Sequence, residues 1–177
     1  MSLRDSLLVV LSLGPAYGYQ LHAEVMERTR RRTALNAGQV YSTLDRLERD
    51  GLLRPAGTTH DGLPLYELTD AGHEGAAAAL STPRGHDFPA MVDQILLAQS
   101  IPGADVDALI TAYRALWRKP TGTAPTDPHQ AAARRAEEEL ARAAQRWLDA
   151  LSAVEPWEPR SDRPRRGRAL RRAQRPR

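Results

Sequence analysis

The chain has 177 residues, of which 41% are hydrophobic and 27% charged, and it contains no cysteine. That length suits one domain or two small ones with a real core, and the lack of cysteine excludes disulfides, thiolate nucleophiles and thiolate-bound metals. The formal net charge of +3 hides an asymmetry: nine arginines and one acid (Asp162) lie between Arg160 and Arg177, whereas residues 1–69 hold eight basic and eight acidic side chains. No apolar run approaches the roughly 18–20 residues of a membrane span. Met1–Leu13 has one arginine and no small-residue cleavage pattern, so a secretory signal is not expected. The composition reads as a soluble, cytoplasmic protein with no membrane partner.

Leu3, Leu7, Val10 and Leu11 follow helical spacing, and Gly14-Pro15 closes that segment. A second helix is predicted from Tyr17 to Thr29, with Leu21, Val25 and Thr29 on one stripe, followed by Arg30, Arg31 and Arg32. Asn36 can cap a third helix whose Val40, Leu44 and Leu47 share a face, and Gly51 supplies its stop. Two extended runs, Leu52–Gly57 and Pro64–Leu68, flank His60-Asp61-Gly62, and Asp-Gly is a strong hairpin signal. Three helices followed by a two-stranded hairpin predict a winged helix-turn-helix.

Thr69 or Asp70 can cap a fourth, alanine-rich helix running to Leu80, and Ser81–Asp87 reads as a linker. A fifth helix is predicted over Pro89–Ser100. Val106, Leu109, Ile110, Tyr113, Leu116 and Trp117 then define a sixth, strongly amphipathic one. Lys119–Pro128 reads as a loop. The last helix is predicted over His129–Ala153, with Leu140, Ala144, Trp147, Leu148 and Leu151 on one stripe, and Pro156 and Pro159 end it. The fold class expected is mainly α. Residues 1–80 would form the winged helix-turn-helix, 88–155 a helical dimerisation region, and 156–177 a disordered arginine-rich tail.

Enzyme chemistry has little support in the sequence. The five histidines lie outside metal-ligand spacing, and no phosphate loop, dinucleotide fingerprint or nucleophile elbow occurs. Glu137, Glu138 and Glu139 fan outward on successive helix positions. No catalytic residue, metal or cofactor is expected. The third helix carries more information. Its first turn holds Asn36, Gly38 and Gln39, and its buried stripe leaves Gln39, Ser42, Thr43 and Arg46 to face elsewhere. Those side chains can bond base edges or phosphates, and a helix N-terminus also suits a phosphate.

Three separated segments carry a resemblance. They are Tyr17-Gly18-Tyr19-Gln20-Leu21, the run from Gly38 to Leu52, and Tyr66-Glu67-Leu68-Thr69-Asp70-Ala71-Gly72. In order and spacing they resemble the PadR family of bacterial transcriptional regulators over roughly residues 3–75. Arg146-Trp147-Leu148-Asp149-Ala150-Leu151 resembles the final helix of its longer members. The resemblance implies a homodimer, held by the C-terminal helices, that binds a pseudo-palindromic double-stranded DNA operator and usually represses. It implies backbone contacts from Tyr17 and Tyr41 and groove contacts from Gln39 and Ser42. It also implies that Trp147, with Trp117 as a second candidate, binds a planar aromatic effector.

The wing departs from the family pattern. Gly62-Leu63-Pro64-Leu65-Tyr66 carries leucine where basic residues are usual, leaving Thr58, Thr59 and His60 as substitutes. Phosphate neutralisation would then fall to Arg28 and Arg30–Arg32, or to the tail. Two other readings stay open on the sequence: a winged-helix protein-interaction module, and a sequence-independent nucleic-acid binder working through its arginine tail.

Overall fold

The computed structural model describes residues 1–29, 35–118 and 125–151. Its elements run α1 (Leu3–Leu11), α2 (Gly18–Thr29), α3 (Ala37–Arg49), β1 (Leu53–Thr58), β2 (Pro64–Leu68), α4 (Asp70–Ser81), α5 (Phe88–Gln99), α6 (Val106–Leu116) and α7 (Pro128–Leu151). Each predicted element is present to within one or two described residues. The tail and Arg30–Arg32 lie outside the described residues, as does the expected end of the last helix.

The boundaries have local causes. The Ser2 hydroxyl accepts from Asp5 N–H at 3.1 Å and starts α1. Asn36 does the same for α3, its side-chain oxygen accepting from Gly38 N–H at 2.8 Å. Capping of α4 falls to Thr69, whose hydroxyl accepts from Gly72 N–H and donates to the Gly51 carbonyl. Such caps satisfy backbone donors that the first turn of a helix leaves unpaired. At the end of α3 the chain turns at Gly51, where φ is +72°, a conformation glycine adopts without a Cβ penalty.

The hairpin is antiparallel, pairing Leu53 with Leu68 and Arg54 with Glu67, and a bulge lies between Pro55 and Thr58. Leu52, expected in the first strand, instead closes the turn after α3, its N–H bonding the Leu47 carbonyl at 2.9 Å. Ala16 pairs with Tyr66 through two backbone hydrogen bonds, adding a single-residue third partner to the sheet. Gly14-Pro15 marks the end of α1 in the sequence but gives no sign of this pairing.

Two apolar clusters form. The first surrounds α1, buried from Asp5 to Leu11, and takes Leu21, Val25, Val40, Leu44, Leu47, Leu53, Leu68 and the inner alanines of α4. Met91, Ile95, Leu109, Ile110, Tyr113, Trp117, Ala144 and Leu148 make the second, from α5, α6 and α7. Leu80 and Ala104 touch both. Polar bonds also cross between them. Gln94 donates to the carbonyls of Ala79 and Thr82, at 2.7 and 2.9 Å, and accepts from the Tyr113 hydroxyl. Tyr113 in turn accepts from Arg84 N–H at 3.1 Å. Burial raises the Tyr113 pKa, because the phenolate would be poorly solvated there.

Candidate nucleic-acid interface

The α3 sequence separates two faces. Val40, Leu44 and Leu47 are at most 1% exposed and anchor the helix on α1 and α2. Asn36, Gly38, Gln39, Tyr41, Ser42 and Arg46 are all exposed, so the outward side of the helix presents a polar surface from its cap to its last turn. Arg46 bonds only the Ser42 carbonyl, at 3.2 Å, and among the described residues has no carboxylate partner. Thr43 does not belong to this surface. It is buried, and its hydroxyl donates to the Gln39 carbonyl at 2.7 Å, because position 43 is three residues from Val40 and four from Leu47.

Tyr41 lies across the start of α2. Its ring occupies the space a side chain on Gly18 would need, with ring carbon Cε1 2.5 Å from where a Cβ would stand. Tyr17, which directly precedes α2, is half-buried. The sequence reading missed Tyr19, 67% exposed and stacked on His22 with ring centroids 6.4 Å apart. His22 bonds the Leu35 carbonyl at 2.6 Å and so ties α2 to the entry of α3. The available signal was phase, since Tyr19 stands off the Leu21–Val25 stripe. Tyr66 of β2 is close enough to Asp45 and Glu48 for their charges, after burial, to raise its pKa.

Several expected contributors are committed elsewhere. Arg28 is 8% exposed; it pairs with Glu24 at 2.9 Å and donates to both the carbonyl and the hydroxyl of Ser100. It therefore holds α2 to the end of α5 and is not available to phosphates. Thr59 is buried in the hairpin turn, accepting from Leu63 N–H at 3.0 Å, and offers nothing outward. His60 is exposed beside Asp61 at 3.6 Å. Arg54 is bound to Glu67 across the hairpin at 2.7 Å. Among the described residues, the exposed polar groups of the domain are therefore denser at the α2–α3 corner than on the wing, where Thr58 and His60 remain exposed.

The C-terminal stripe divides. Ala144 and Leu148, expected at a subunit interface, are fully buried inside one chain against α6. Amphipathicity in the sequence could not distinguish that in-chain partner from a second copy. Leu140 is 41% exposed, while Trp147 and Leu151 are half-buried, and Trp147 meets Phe88 edge-on at 6.0 Å. Trp117 is 3% exposed and packs edge-on against His86. The two tryptophans do not share a site: a cavity of about 720 Å³ between α6 and α7 is lined by Trp117 but not Trp147. No helix of the described residues is long and apolar enough to cross a membrane.

Residues 7–78 match the family model described as the transcriptional regulator PadR-like family. Among solved structures, the chain is similar to a transcriptional regulator from Clostridium thermocellum, with 22% identity, a TM-score of 0.38, and coverage of 41% of this chain and 70% of that one. It is also similar to Bacillus subtilis PadR in a crystal structure with operator DNA, with 18% identity, a TM-score of 0.41, and coverage of 86% of this chain and 98% of that one. No curated protein matches the sequence. Residues 7–78, which hold most of α1 to α4 and the hairpin, are thus the part of the chain that is similar to the PadR-like family of transcriptional regulators.

Proposed function

We propose that this protein is a cytoplasmic, dimeric DNA-binding repressor that reads a pseudo-palindromic operator with α3 and is released by a planar small molecule. One observation carries the reading. The outward side of α3 leaves Gln39, Ser42 and Arg46 exposed beside Tyr41, on a helix whose opposite face is fixed to the core. Gln39 has an amide able to bond adenine through two atoms, and Arg46 can reach guanine or a phosphate. Tyr17, Tyr41 and Tyr19 flank that face and are assigned to the DNA backbone. Arg30–Arg32, His60 and the tail from Arg160 supply further cationic or polar contacts in this reading, with the arginines acting through sequence-independent phosphate neutralisation.

In this division of labour, residues 1–80 hold the DNA-reading unit and 88–155 the dimerisation unit. Recognition helices must stand about one DNA turn, roughly 34–36 Å, apart to enter successive grooves. A second copy would cover Leu140, Trp147 and Leu151, which line one side of α7 next to its in-chain buried face. Selection of bound fragments from random duplex DNA tests the proposal. The expected result is a two-fold symmetric consensus bound by a dimer in sedimentation. Binding with no sequence preference would overturn it, as would failure to bind DNA at all.

A further inference from the structure

Helix α5 is shared by the two apolar clusters. Leu97 and Ile101, at and just past its C-terminal end, are buried in the first, whereas Met91, Ile95 and Ala98 are buried in the second. The last turn of α5 has no basic residue of its own, and Arg28 of α2 supplies one. Its Nη1 donates to the Ser100 carbonyl at 2.7 Å and to the Ser100 hydroxyl at 3.0 Å. Its Nε and Nη2 donate to Glu24 Oε2, at 3.2 and 2.9 Å. The series extends at both ends. Gln20 donates to the other oxygen of Glu24 at 3.0 Å, and the Ser100 hydroxyl donates to the Leu97 carbonyl at 2.7 Å. Gln20, Glu24, Arg28 and Ser100 are all buried.

Packing alone does not call for charge at this place. Neutral side chains of similar volume commonly hold a fold as well as a buried ion pair does. What the guanidinium adds is direction. Its planar fork fixes several donors at once, whereas apolar contact has no preferred direction. The C-terminus of a helix offers unpaired carbonyls and the negative end of the dipole, so the fork seats on that end of α5 in one register. On one side of the joint, α2 is held to α3 by packing and by the bond from His22 to the Leu35 carbonyl. On the other side, α5 packs on α6, and α6 on α7.

We infer that the Arg28–Ser100 joint is a positioning element that selects the spacing between operator half-sites. It holds α3 at a set angle to the C-terminal helices, and so fixes the distance and rotational phase at which two copies present their reading helices. One base pair added between half-sites turns one against the other by about a tenth of a helical turn. A chain with a firm joint accepts one spacing, and a chain with a loose joint accepts several. The inference rests on the dimeric, DNA-reading function proposed above.

The experiment uses the full chain and duplexes whose two selected half-sites are moved together or apart in steps of one base pair. A duplex with a single half-site is the control. The parent is expected to prefer one spacing over its neighbours by at least about tenfold, the size of one mismatched base pair. Glu24→Gln with Arg28→Met removes the joint and leaves no unpaired charge inside, so an unfolding midpoint near the parent's and an unchanged sedimentation profile are expected. Its spacing preference should fall to about threefold or less, half the parent's on a free-energy scale, with affinity for the single half-site unchanged. Ser100→Ala keeps the ion pair and removes one bond across the joint, and should lower the preference by a smaller factor. Variants that keep the parent's spacing preference would overturn the inference. So would an equal loss on the single half-site, which would make Arg28 a part of the fold and nothing more. A parent that selects a half-site but tolerates every spacing overturns the inference alone and leaves reading by α3 standing. A parent that selects no half-site overturns the proposed function together with it.

Discussion

The outer faces of α3 and α7 are both polar helix surfaces, and they are built in opposite ways. On α7, Glu138 stands between Arg134 and Arg142, one helical turn to either side, and Arg142 also reaches Glu139. On α3, Arg46 and Arg49 bond only the carbonyls of Ser42 and Asp45 and have no carboxylate partner among the described residues. Charges that answer each other along one helix make a solvated surface with little need of anything outside the chain. A face whose donors stay open retains them for a ligand. Binding and stability should therefore separate: changes on the outer face of α3 should alter what the protein binds, and changes to the Arg134–Glu138–Arg142 pairs of α7 how firmly it folds.

The sharpest contrast to both faces is the buried pair Glu24–Arg28, where α2 grips the end of α5. Arg28→Ala leaves the Glu24 carboxylate buried without its main partner, and breaking such a pair costs about 3–5 kcal/mol. Urea unfolding should show that loss in full. A change below about 1 kcal/mol would mean that Arg28 behaves as a surface cation after all.

Tyr113→Phe comes next. It removes the hydroxyl that donates to Gln94 and accepts from Arg84 N–H, and should cost about 1–3 kcal/mol of stability. It should also change the alkaline limb of the pH profile. The Tyr113 pKa is raised in the folded chain, so its contribution is complete below the unfolded value of about 10. That contribution is lost as pH climbs from there through the folded value. The variant lacks this loss, and its stability should fall less steeply at high pH.

Gln39→Ala tests the open face. Operator affinity should fall by about 1–3 kcal/mol, with preference relaxed at one base pair per half-site, while unfolding shifts by no more than about 0.5 kcal/mol. If both readouts move together, the two faces of α3 are not independent. Glu138→Gln should have the smallest effect. It removes two half-exposed helix pairs worth about 0.3–0.5 kcal/mol each, a loss that shrinks with added salt and leaves DNA affinity unchanged. A change in operator binding would show that α7 is not the closed surface its ion pairs suggest.

Local physics made most of the fold legible in advance. Asn36, Gly51 and Thr69 act through a single turn of chain, so their roles can be read without knowing what packs where. Arg28 was misplaced for the opposite reason. Glu24 and Arg28 sit on the same side of α2 as Leu21 and Val25, so that stripe carries an ion pair into the interior, whereas a count of charges treats every arginine as exposed. Thr43 and Thr59 failed in the same way, each hydroxyl being taken up by backbone a few residues distant. The α6–α7 cavity had no signal at all in the sequence, because it depends on how two helices far apart in the chain cross.

Two glycines show how differently the loss of a hydrogen atom can register. A methyl group on Gly72 would stand 2.1 Å from the Leu52 carbonyl oxygen, where main chain cannot yield, so any side chain there should cost folded protein. A methyl group on Gly18 would meet the Tyr41 ring first, and a side chain can swing away and let the helix stand. In a library of random variants, Gly72 changes should therefore vanish with the soluble fraction, whatever else varies. Gly18 changes should persist as folded molecules with a displaced Tyr41, and their defect should depend on the residue at position 41. Epistasis between positions 18 and 41, absent at 72, would separate a glycine that shapes a surface from one that permits a fold.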